Sequence, residues 1–150
     1  LLFLGQDPHL SDWSVVGSDN LFDYRITDFF NFARKQGPSA TIGCYDIQTL
    51  AEASQYGVIE LDAKGKIVSL EEKPKKPKSS LISMCLYYFP AAGLSNFRTF
   101  IQETGSKDTT GGYIQWLHIK EDVYGFKFNG KWYDIGSLES YHEAQKYFSN

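Results

Sequence analysis

The sequence predicts an α/β protein with a mixed central sheet, and two observations lead to this fold class. Segments typical of strands and segments typical of helices are interspersed along the whole chain, which is the pattern of layered α/β architectures. Hairpin signals are added to this alternation, and each hairpin contributes an antiparallel pair. The sequence contains no internal repeat, linker or low-complexity segment, so the 150 residues are one domain or part of one.

The strongest local signal is a β-hairpin in the middle of the chain. Residues 58–61 and 66–70 are rich in strand-forming side chains, and a four-residue connection separates them. Asp62 is suited to open a type I turn, and Gly65 is suited to the left-handed position that closes it. We therefore predict two antiparallel strands joined by a tight turn at this place.

Four further segments have the composition of strands. Residues 81–89 are apolar throughout, as expected for a strand at the centre of a sheet. Residues 40–47 predict another buried strand, and residues 13–22 predict a short strand that runs into a polar turn. A second hairpin is predicted to turn at Asn129-Gly130, because this dipeptide is a strong signal for two-residue hairpin loops.

Helical periodicity and end signals predict the remaining elements. Thr27 is expected to cap the first long helix, and Gly37 is expected to end it. Gly105 should end a later helix, and Ser137 should cap the last one. The predicted helical segments are 27–37, a short turn at 49–57, 94–105, 111–120 and 137–148. The last of them carries an apolar stripe of Leu138, Tyr141, Ala144 and Phe148.

Charge and composition exclude some classes of function. With 15 basic and 18 acidic side chains the formal net charge is -3, which argues against a general nucleic-acid-binding protein but not against one local phosphate site. No apolar run approaches the ~20 residues of a membrane span. Cys44 and Cys85 are far apart, which predicts reduced thiols in a cytoplasmic protein, although their separation leaves a disulfide between them open. The first ten residues contain neither an initiator Met nor a basic region, so we expect a start within a domain rather than a signal peptide.

Two aspartates in polar surroundings follow predicted strands. Asp19 lies in VVGSDN and Asp134 lies in KWYDIGS. Ligands of α/β proteins gather outside the carboxyl ends of strands, where two carboxylates could share one Mg²⁺ with substrate phosphates. Both residues are equally suited to turns or helix caps, so the spacing alone leaves the two interpretations open.

The segment SLEEKPKKPKSS joins carboxylates directly to a basic, proline-containing stretch. A solvated loop is the usual explanation of such a charge run, and a ligand site is the alternative. In the second case Glu72 would accept hydrogen bonds from sugar hydroxyls, and Lys73 would hold a phosphate. Gly57, at the start of the hairpin, is either a plain strand-entry glycine or a place where a ligand approaches the backbone. Neither of the common glycine-rich phosphate fingerprints is present.

Taken in order, three segments resemble the sugar-1-phosphate nucleotidyltransferases, especially the glucose-1-phosphate thymidylyltransferase and uridylyltransferase branch. VVGSDNLF is similar to the family's V-x-G-D-N strand end, and KWYDIGSLESYHEA is similar to its W-x-D-(I/T)-G-T-x-x-S motif. The segment QYGVIELDAKGKIVSLEEKPKKPKSS resembles a long and highly specific block that contains the family's Y-G-V and E-K-P motifs. The resemblance extends from about Trp13 to the end of the chain.

The resemblance implies a three-layer α-β-α, Rossmann-like nucleotidyltransferase domain of which residues 1–150 are the C-terminal portion. It implies that a sugar 1-phosphate attacks the α-phosphate of a nucleoside triphosphate, so that nucleotide sugar and pyrophosphate form. The branch that it resembles most implies glucose 1-phosphate with dTTP or UTP as the substrates. By motif position, Asp19 and Asp134 would hold Mg²⁺, and Lys73 would bind the sugar phosphate. Gly57 and Glu72 would bind the sugar, and Ser83 and Tyr87 would line its pocket. A homo-oligomer is compatible with this assignment, and neither nucleic acid nor a membrane is implied as a partner.

Three departures from the family pattern affect these expectations. Cys85 stands where the family usually has Gly, and Ser137 stands where Thr is common. The family's opening G-G-x-G-T-R-L loop, which holds the triphosphate, is not in the sequence, and neither are the base-recognising segments. We therefore expect the 150-residue chain by itself to be inactive. Two other interpretations stay open, namely a non-catalytic sugar-phosphate-binding module and a structural or regulatory subunit with the same fold.

Overall fold

The computed structural model describes residues 2–4, 12–105 and 110–149. Residues 1 and 5–11, which carry the expectation about the start of the chain, lie outside this part. Fourteen strands and α-helices follow one another in the described residues: β1 Leu2–Leu4, β2 Trp13–Val16, β3 Asn20–Phe22, α1 Ile26–Lys35, β4 Ala40–Asp46, α2 Leu50–Ala53, β5 Gly57–Leu61, β6 Ile67–Glu72, β7 Leu81–Phe89, α3 Ser95–Thr104, α4 Thr110–Lys120, β8 Val123–Lys127, β9 Trp132–Asp134 and α5 Leu138–Phe148.

The main sheet is mixed and is organised around β7, as the apolar run predicted. Its strand order is β1-β2-β7-β4-β8, with β5 paired to β7 and β6 paired to β5. All of these pairs are antiparallel except β4 with β8, which is parallel. On one edge of β7 the partners change along the strand, because β2 pairs with residues 86–89 and β5 pairs at Ile82. Residues 83–85 therefore lie between two neighbouring strands on that edge, and this opening positions the site described below.

Helices cover both faces of the sheet, which confirms the three-layer α-β-α architecture. Successive side chains of a strand point to opposite faces, so each face of β7 has its own core. On one face, Phe29 and Ala33 of α1 pack with Met84, Leu86, Tyr88 and Phe128. On the other face, α3 and α4 pack on the sheet through the cluster that includes Phe100, Tyr113, Ile114, Leu117, Ile42, Cys44 and Tyr87.

The hairpin of β5 and β6 forms as predicted. The Asp62 carboxylate accepts hydrogen bonds from the backbone N–H groups of Lys64 and Lys66, at 2.8 and 2.9 Å. Gly65 adopts the left-handed conformation with φ +81°. These hydrogen bonds join residues only two to four positions apart, so a short stretch of sequence determines this hairpin.

The prediction of a second hairpin at Asn129-Gly130 is wrong. β8 pairs in parallel with β4, and β9 pairs with β3 in a separate two-stranded sheet, so the strands on either side of Asn129-Gly130 are not partners. The turn is instead held from elsewhere in the chain, because the Asp23 carboxylate accepts a hydrogen bond from the Lys131 N–H at 2.8 Å. A Cβ atom on Gly130 would lie 2.5 Å from the same carboxylate, so the close approach requires glycine.

The helix ends agree only in part with the predictions. Ser137 caps α5 in a capping box with Ser140, and Gly105 takes the left-handed position after α3, both as expected. Thr27 does not cap α1, because the helix begins at Ile26 and Thr27 lies within its first turn. Ile26 packs against the core under α1, which favours a helix that begins at this residue, one position before Thr27.

The apolar stripe of α5 is only partly buried. Ala144 is buried, whereas Leu138 is 79% exposed and Tyr141 and Phe148 are each 45% exposed. The helix lies against the short strand β9, where Tyr133 contacts the rings of Tyr147 and Phe148. A three-residue strand offers too little surface to cover a helix face of eleven residues. None of the helices in the described ranges has the length and apolar character that a membrane crossing requires.

Thr41→Val is expected to stabilise the protein by about 1 kcal/mol, because it removes a buried hydroxyl that lacks a partner. Thr41 is fully buried in β4, and within the part of the chain that the structure describes its Oγ1 has no hydrogen-bond partner. Denaturant unfolding of the variant measures the change. The control is Thr99→Val on the exposed surface of α3, for which we expect a change within about 0.5 kcal/mol. Destabilisation by Thr41→Val would show that the hydroxyl is hydrogen-bonded in solution.

Candidate functional site

A cavity of about 240 Å³ opens beside β7, at the place where the sheet passes from β2 to β5. Six of the seven residues predicted from the sequence line it: Gly57, Glu72, Lys73, Ser83, Tyr87 and Asp134. Six further residues complete its wall: Gln55, Tyr56, Leu70, Cys85, Gly111 and Ile114. The fold thus brings together residues from β5, β6, β7, β9 and α4.

The Glu72 carboxylate lies between two glycines. Gly57 is its register partner across the β5–β6 pair, and a Cβ atom on Gly57 would come within 3.1 Å of Glu72 Oε2. A Cβ atom on Gly111, in the first turn of α4, would come within 3.0 Å of the same oxygen. Both glycines therefore leave space that the carboxylate occupies, and this space holds Glu72 at the wall of the cavity.

Lys73 follows directly at the end of β6 in an unusual backbone conformation. Its φ is +46°, in the left-handed region that costs a non-glycine residue of the order of 1–3 kcal/mol. Its N–H donates to the Tyr56 carbonyl at 3.0 Å, which holds the chain in this conformation. Within the described ranges no carboxylate lies within 4.0 Å of its ammonium group. The conformation places an unpaired positive charge at the cavity.

The floor of the cavity is formed by alternate residues of β7. Ser83, Cys85 and Tyr87 share the face of the sheet that α4 covers. Burial raises the pKa of the Tyr87 hydroxyl, so this group stays protonated and can donate a hydrogen bond near neutral pH. Burial is also the main cause of a raised pKa for the Cys85 thiol, and the Asp19 and Asp134 charges add to it. The floor therefore presents uncharged polar groups.

Asp19 and Asp134 lie close together in the fold, on one side of the cavity. The β3–β9 pair places Asn20 opposite Asp134, and the Ile135 N–H donates to the Asp19 carbonyl at 2.8 Å. The turn that carries Asp19 is attached to β7, because the Gly17 N–H donates to the Cys85 carbonyl at 2.6 Å. Asp134 lines the cavity, whereas Asp19 lies beside it rather than in its wall. The two predicted strand-end carboxylates thus reach the same region from distant parts of the chain.

The donor chemistry of this pair fits Mg²⁺. Asp19 Oδ1 accepts from Asn20 Nδ2 at 2.8 Å, and Asp134 Oδ1 accepts from the Gly136 N–H at 3.2 Å. In the described residues neither Oδ2 has a hydrogen-bond donor or a basic partner, so one oxygen of each carboxylate is available. No group of three or more potential metal-ligating side chains occurs in the described ranges. Two carboxylates completed by water and phosphate oxygens suit Mg²⁺, which rarely occupies an all-protein cage.

The sequence interpretation assigned no site role to the six further residues of the wall, among them Tyr56 and Gly111. Tyr56 stacks edge to face on Trp132 with 5.6 Å between ring centroids. Burial is the main cause of the raised pKa of Tyr56, and the negative charges of Asp134 and Glu52 contribute. Gly111 could have been recognised from the sequence. Two successive glycines near the start of a helix each lower its stability by about 1 kcal/mol relative to Ala, which indicates a function other than helix formation. Tyr56 could have been recognised as well, because it is the Tyr of the Y-G-V motif.

A three-layer α/β fold with a polar cavity beside its central strand and paired carboxylates at strand ends defines the Rossmann-like class of protein. The chain belongs to the nucleotidyl transferase family, whose sequence profile matches residues 1–150. The relatives found are sugar-1-phosphate nucleotidyltransferases, which confirms the resemblance on which the site residues were assigned.

Two relatives are glucose-1-phosphate adenylyltransferases. The enzyme from Clostridium acetobutylicum is 32% identical over 133 residues, which cover 87% of this chain and 35% of the relative. The enzyme from Thermotoga neapolitana is 31% identical over 136 residues, with 87% of this chain and 31% of the relative covered. The chain therefore spans about a third of the length of these relatives.

Solved structures show the same fold at lower identity. A glucose-1-phosphate thymidylyltransferase from Bacillus anthracis, described in complex with a sucrose, superposes with a TM-score of 0.76 at 21% identity and covers 91% of this chain and 54% of that one. A UDP-glucose pyrophosphorylase complexed with UDP-glucose also gives 0.76, at 23% identity, covering 92% of this chain and 56% of that one. These likenesses confirm the Rossmann-like fold class.

Proposed function

We propose that the protein containing this chain transfers a nucleotidyl group from a nucleoside triphosphate to a sugar 1-phosphate. A phosphate oxygen of the sugar 1-phosphate bonds to the α-phosphorus, the bond from the α-phosphorus to the bridging oxygen breaks, and pyrophosphate leaves. The observation that carries the proposal is the cavity, which gathers the Glu72 carboxylate, the Lys73 ammonium and Asp134 around one space. This chain supplies the sugar-phosphate and cation side of the reaction.

The sugar is assigned to the part of the cavity between Glu72 and β7. Glu72 accepts hydrogen bonds from sugar hydroxyls, and Gly57 lets the sugar approach the backbone closely because it has no side chain. Ser83 and Tyr87 offer hydroxyl groups on the floor. The volume of about 240 Å³ lies below the ~300–1,000 Å³ of pockets for drug-sized ligands and suits a monosaccharide phosphate.

The phosphates are assigned to the end of the cavity that holds Lys73 and Asp134. Lys73 binds the sugar phosphate as a point charge and holds its attacking oxygen in place. Asp19 and Asp134 hold Mg²⁺ through their free oxygens. A cation held there would supply positive charge that offsets the repulsion between the two anionic substrates. Phosphoryl-type transfer needs little covalent participation by the protein, so positioning and charge account for this set of residues.

Glucose 1-phosphate is the proposed sugar substrate, with dTTP or UTP as the nucleotide. The relatives' names support glucose, and they name adenylyl and thymidylyl transfer and UDP-glucose, so the base has to be found by experiment. The test is pyrophosphate release by the full protein with Mg²⁺, glucose 1-phosphate and each of dTTP, UTP, ATP and CTP. We expect turnover with one nucleotide to exceed the others by at least about tenfold, the ratio that 1.4 kcal/mol of discrimination produces.

A non-catalytic sugar-phosphate-binding module is the second candidate, because this chain by itself places Glu72 and Lys73 in the wall of one cavity. Calorimetric titration with glucose 1-phosphate distinguishes the two. Binding without pyrophosphate release from any nucleotide supports the module and refutes the enzyme. Absence of both binding and release refutes both assignments of the cavity.

Gly111→Ala should raise the KM for the sugar 1-phosphate about three- to tenfold while leaving the fold as stable or slightly more stable. The added Cβ would lie 3.0 Å from Glu72 Oε2 and displace the carboxylate. The expected loss is about one hydrogen bond between Glu72 and a sugar hydroxyl. Alanine in the first turn of α4 gains up to about 1 kcal/mol of helix propensity. Steady-state kinetics and thermal unfolding measure the two effects.

The control for this prediction is a double-mutant cycle with Glu72→Ala. If Gly111→Ala acts by displacing Glu72, its effect on the KM disappears in the Glu72→Ala background. An effect of equal size in both backgrounds would mean that Gly111 contacts the substrate itself.

A further inference from the structure

A chain of two hydrogen bonds connects Trp132 to the Asp19 carboxylate. Trp132 Nε1 donates to Asn20 Oδ1 at 2.7 Å. Asn20 Nδ2 in turn donates to Asp19 Oδ1 at 2.8 Å. Trp132 and Asn20 lie on the paired strands β9 and β3, so the sheet that brings Asp19 close to Asp134 also builds this connection.

The direction of the Asn20 amide in this chain follows from its partners. An indole N–H can only donate, so the amide must present its oxygen to Trp132. Its NH₂ group is then turned toward Asp19, whose ionised carboxylate can only accept. The opposite amide orientation would face a donor with a donor and an acceptor with an acceptor. The indole therefore determines which end of the amide reaches the carboxylate.

The space for this contact depends on Gly17. A Cβ atom on Gly17 would lie 2.6 Å from Asn20 Nδ2 and 2.9 Å from Asp19 Oδ1. Such distances are far below van der Waals contact, so any side chain at this position would separate the amide from the carboxylate. The backbone of Gly17 is itself held on β7 through its bond to the Cys85 carbonyl.

The indole is held in turn by the wall of the cavity. Trp132 packs against Tyr45 and Tyr56, with ring centroids 5.5 and 5.6 Å away. The Tyr45 hydroxyl donates to the Gly130 carbonyl at 3.2 Å, which anchors the ring next to Trp132. Tyr56 lines the cavity. Trp132 is thus in contact both with Tyr56 of the cavity wall and with the Asn20 amide.

We propose that Asn20, oriented by Trp132, is a positioning residue that sets the rotation of the Asp19 carboxylate. The amide occupies Oδ1 and so directs Oδ2 outward as the oxygen that faces the cation. This inference rests on the proposed cation role of Asp19 and adds two residues that do not touch the cation to its support. Partners that hydrogen-bond a metal ligand commonly change metal affinity by about 10- to 100-fold when they are removed.

The first experiment measures the Mg²⁺ concentration that gives half of the maximal rate in the full protein. Asn20→Ala should raise this concentration about 10- to 100-fold and leave the KM for glucose 1-phosphate within about twofold. Trp132→Phe, which keeps an aromatic ring against Tyr45 and Tyr56, should raise it severalfold. The matched control is Trp116→Phe, which removes an indole bond to Glu103 Oε2 at 2.9 Å on the α3–α4 pair and should have no effect.

The second experiment does not depend on activity. The chain contains three tryptophans, so ¹⁵N NMR can follow each indole N–H, and Trp132→Phe and Trp116→Phe assign the signals. We expect slow solvent exchange of the Trp132 indole N–H, and faster exchange in Asn20→Ala. Mg²⁺ added with glucose 1-phosphate and the nucleotide should shift this signal in the wild type and in Trp116→Phe, but not in Asp19→Asn.

The outcomes separate this inference from the proposed function. If Asp19→Asn raises the Mg²⁺ requirement while Asn20→Ala and Trp132→Phe leave it unchanged, the cation role stands and the positioning role is overturned. If Asp19→Asn and Asp134→Asn both leave the Mg²⁺ requirement unchanged, the proposed function of the pair fails. Equal damage to the Mg²⁺ requirement and to the KM for glucose 1-phosphate in Trp132→Phe, with a lowered unfolding temperature, would mean a purely structural role and would also overturn the inference.

Discussion

Asp134→Asn is expected to lower kcat about 10³-fold in the full protein. The substitution keeps the side-chain shape and the oxygen that accepts from the Gly136 N–H, but it removes one of the two negative charges assigned to the cation. Stabilisation of phosphate charge by a bound metal is worth several kcal/mol, and about 4 kcal/mol corresponds to a factor of about 10³. Pyrophosphate release at saturating substrates measures the loss.

The control for this prediction is Asp122→Asn, which removes a carboxylate of the same type from an exposed ion pair with Lys66. Exposed ion pairs contribute only about 0–1 kcal/mol to folding stability, so the variant should stay folded and its kcat should stay near the wild-type value. A loss of less than about tenfold in Asp134→Asn, at Mg²⁺ concentrations well above those needed by the wild type, would remove Asp134 from the proposed cation site.

Lys73→Ala is expected to raise the KM for the sugar 1-phosphate about 10- to 100-fold and to change the KM for the nucleotide much less. A hydrogen bond to a charged group is worth about 1.5–3 kcal/mol, and in the described residues the Lys73 ammonium has no carboxylate partner that would have to be left unpaired. Initial rates with each substrate varied in turn give the two KM values. Equal increases in both would contradict the assignment of Lys73 to the sugar phosphate.

Lys73→Gly separates charge from backbone strain in this prediction. Glycine adopts φ +46° without the penalty of about 1–2 kcal/mol that Ala and Lys carry there, so Lys73→Gly should be more stable than Lys73→Ala by about that amount. Both variants lack the ammonium and should show the same KM for the sugar 1-phosphate. Lys76→Ala, which removes an exposed charge from the same loop outside the cavity, is the control and should leave both KM values unchanged.

The site illustrates how a cavity is built from groups that are distant in the sequence. Glu72 and Lys73 come from the end of β6, and Asp134 comes from the end of β9. They meet because β5 and β2 share one edge of β7 and leave residues 83–85 between them. The motif resemblance could name these residues, whereas the opening in the edge of the sheet follows from strand registers that no motif records.

The sequence by itself determined the elements whose bonds are local. The hairpin of β5 and β6 was predictable because Asp62 bonds to groups two and four residues further on. The cap of α5 was predictable because Ser137 bonds to Ser140 in a capping box. The predominantly apolar sequence of β7 likewise predicts its burial, since such a strand is typical of a sheet that is covered on both faces. Family motifs, which are also continuous stretches of sequence, indicated six of the residues that line the cavity.

Only the tertiary structure decided the features that depend on distant partners. Asn129-Gly130 has the sequence of a hairpin turn, but Asp23 holds the turn from 108 positions away and the strands on either side pair elsewhere. The approach of Gly111 to Glu72, and of Trp132 to Asn20, likewise joins segments that are far apart in the chain. A local signal measures only the preference of a few residues, and burial and pairing with distant segments contribute free energies large enough to override it.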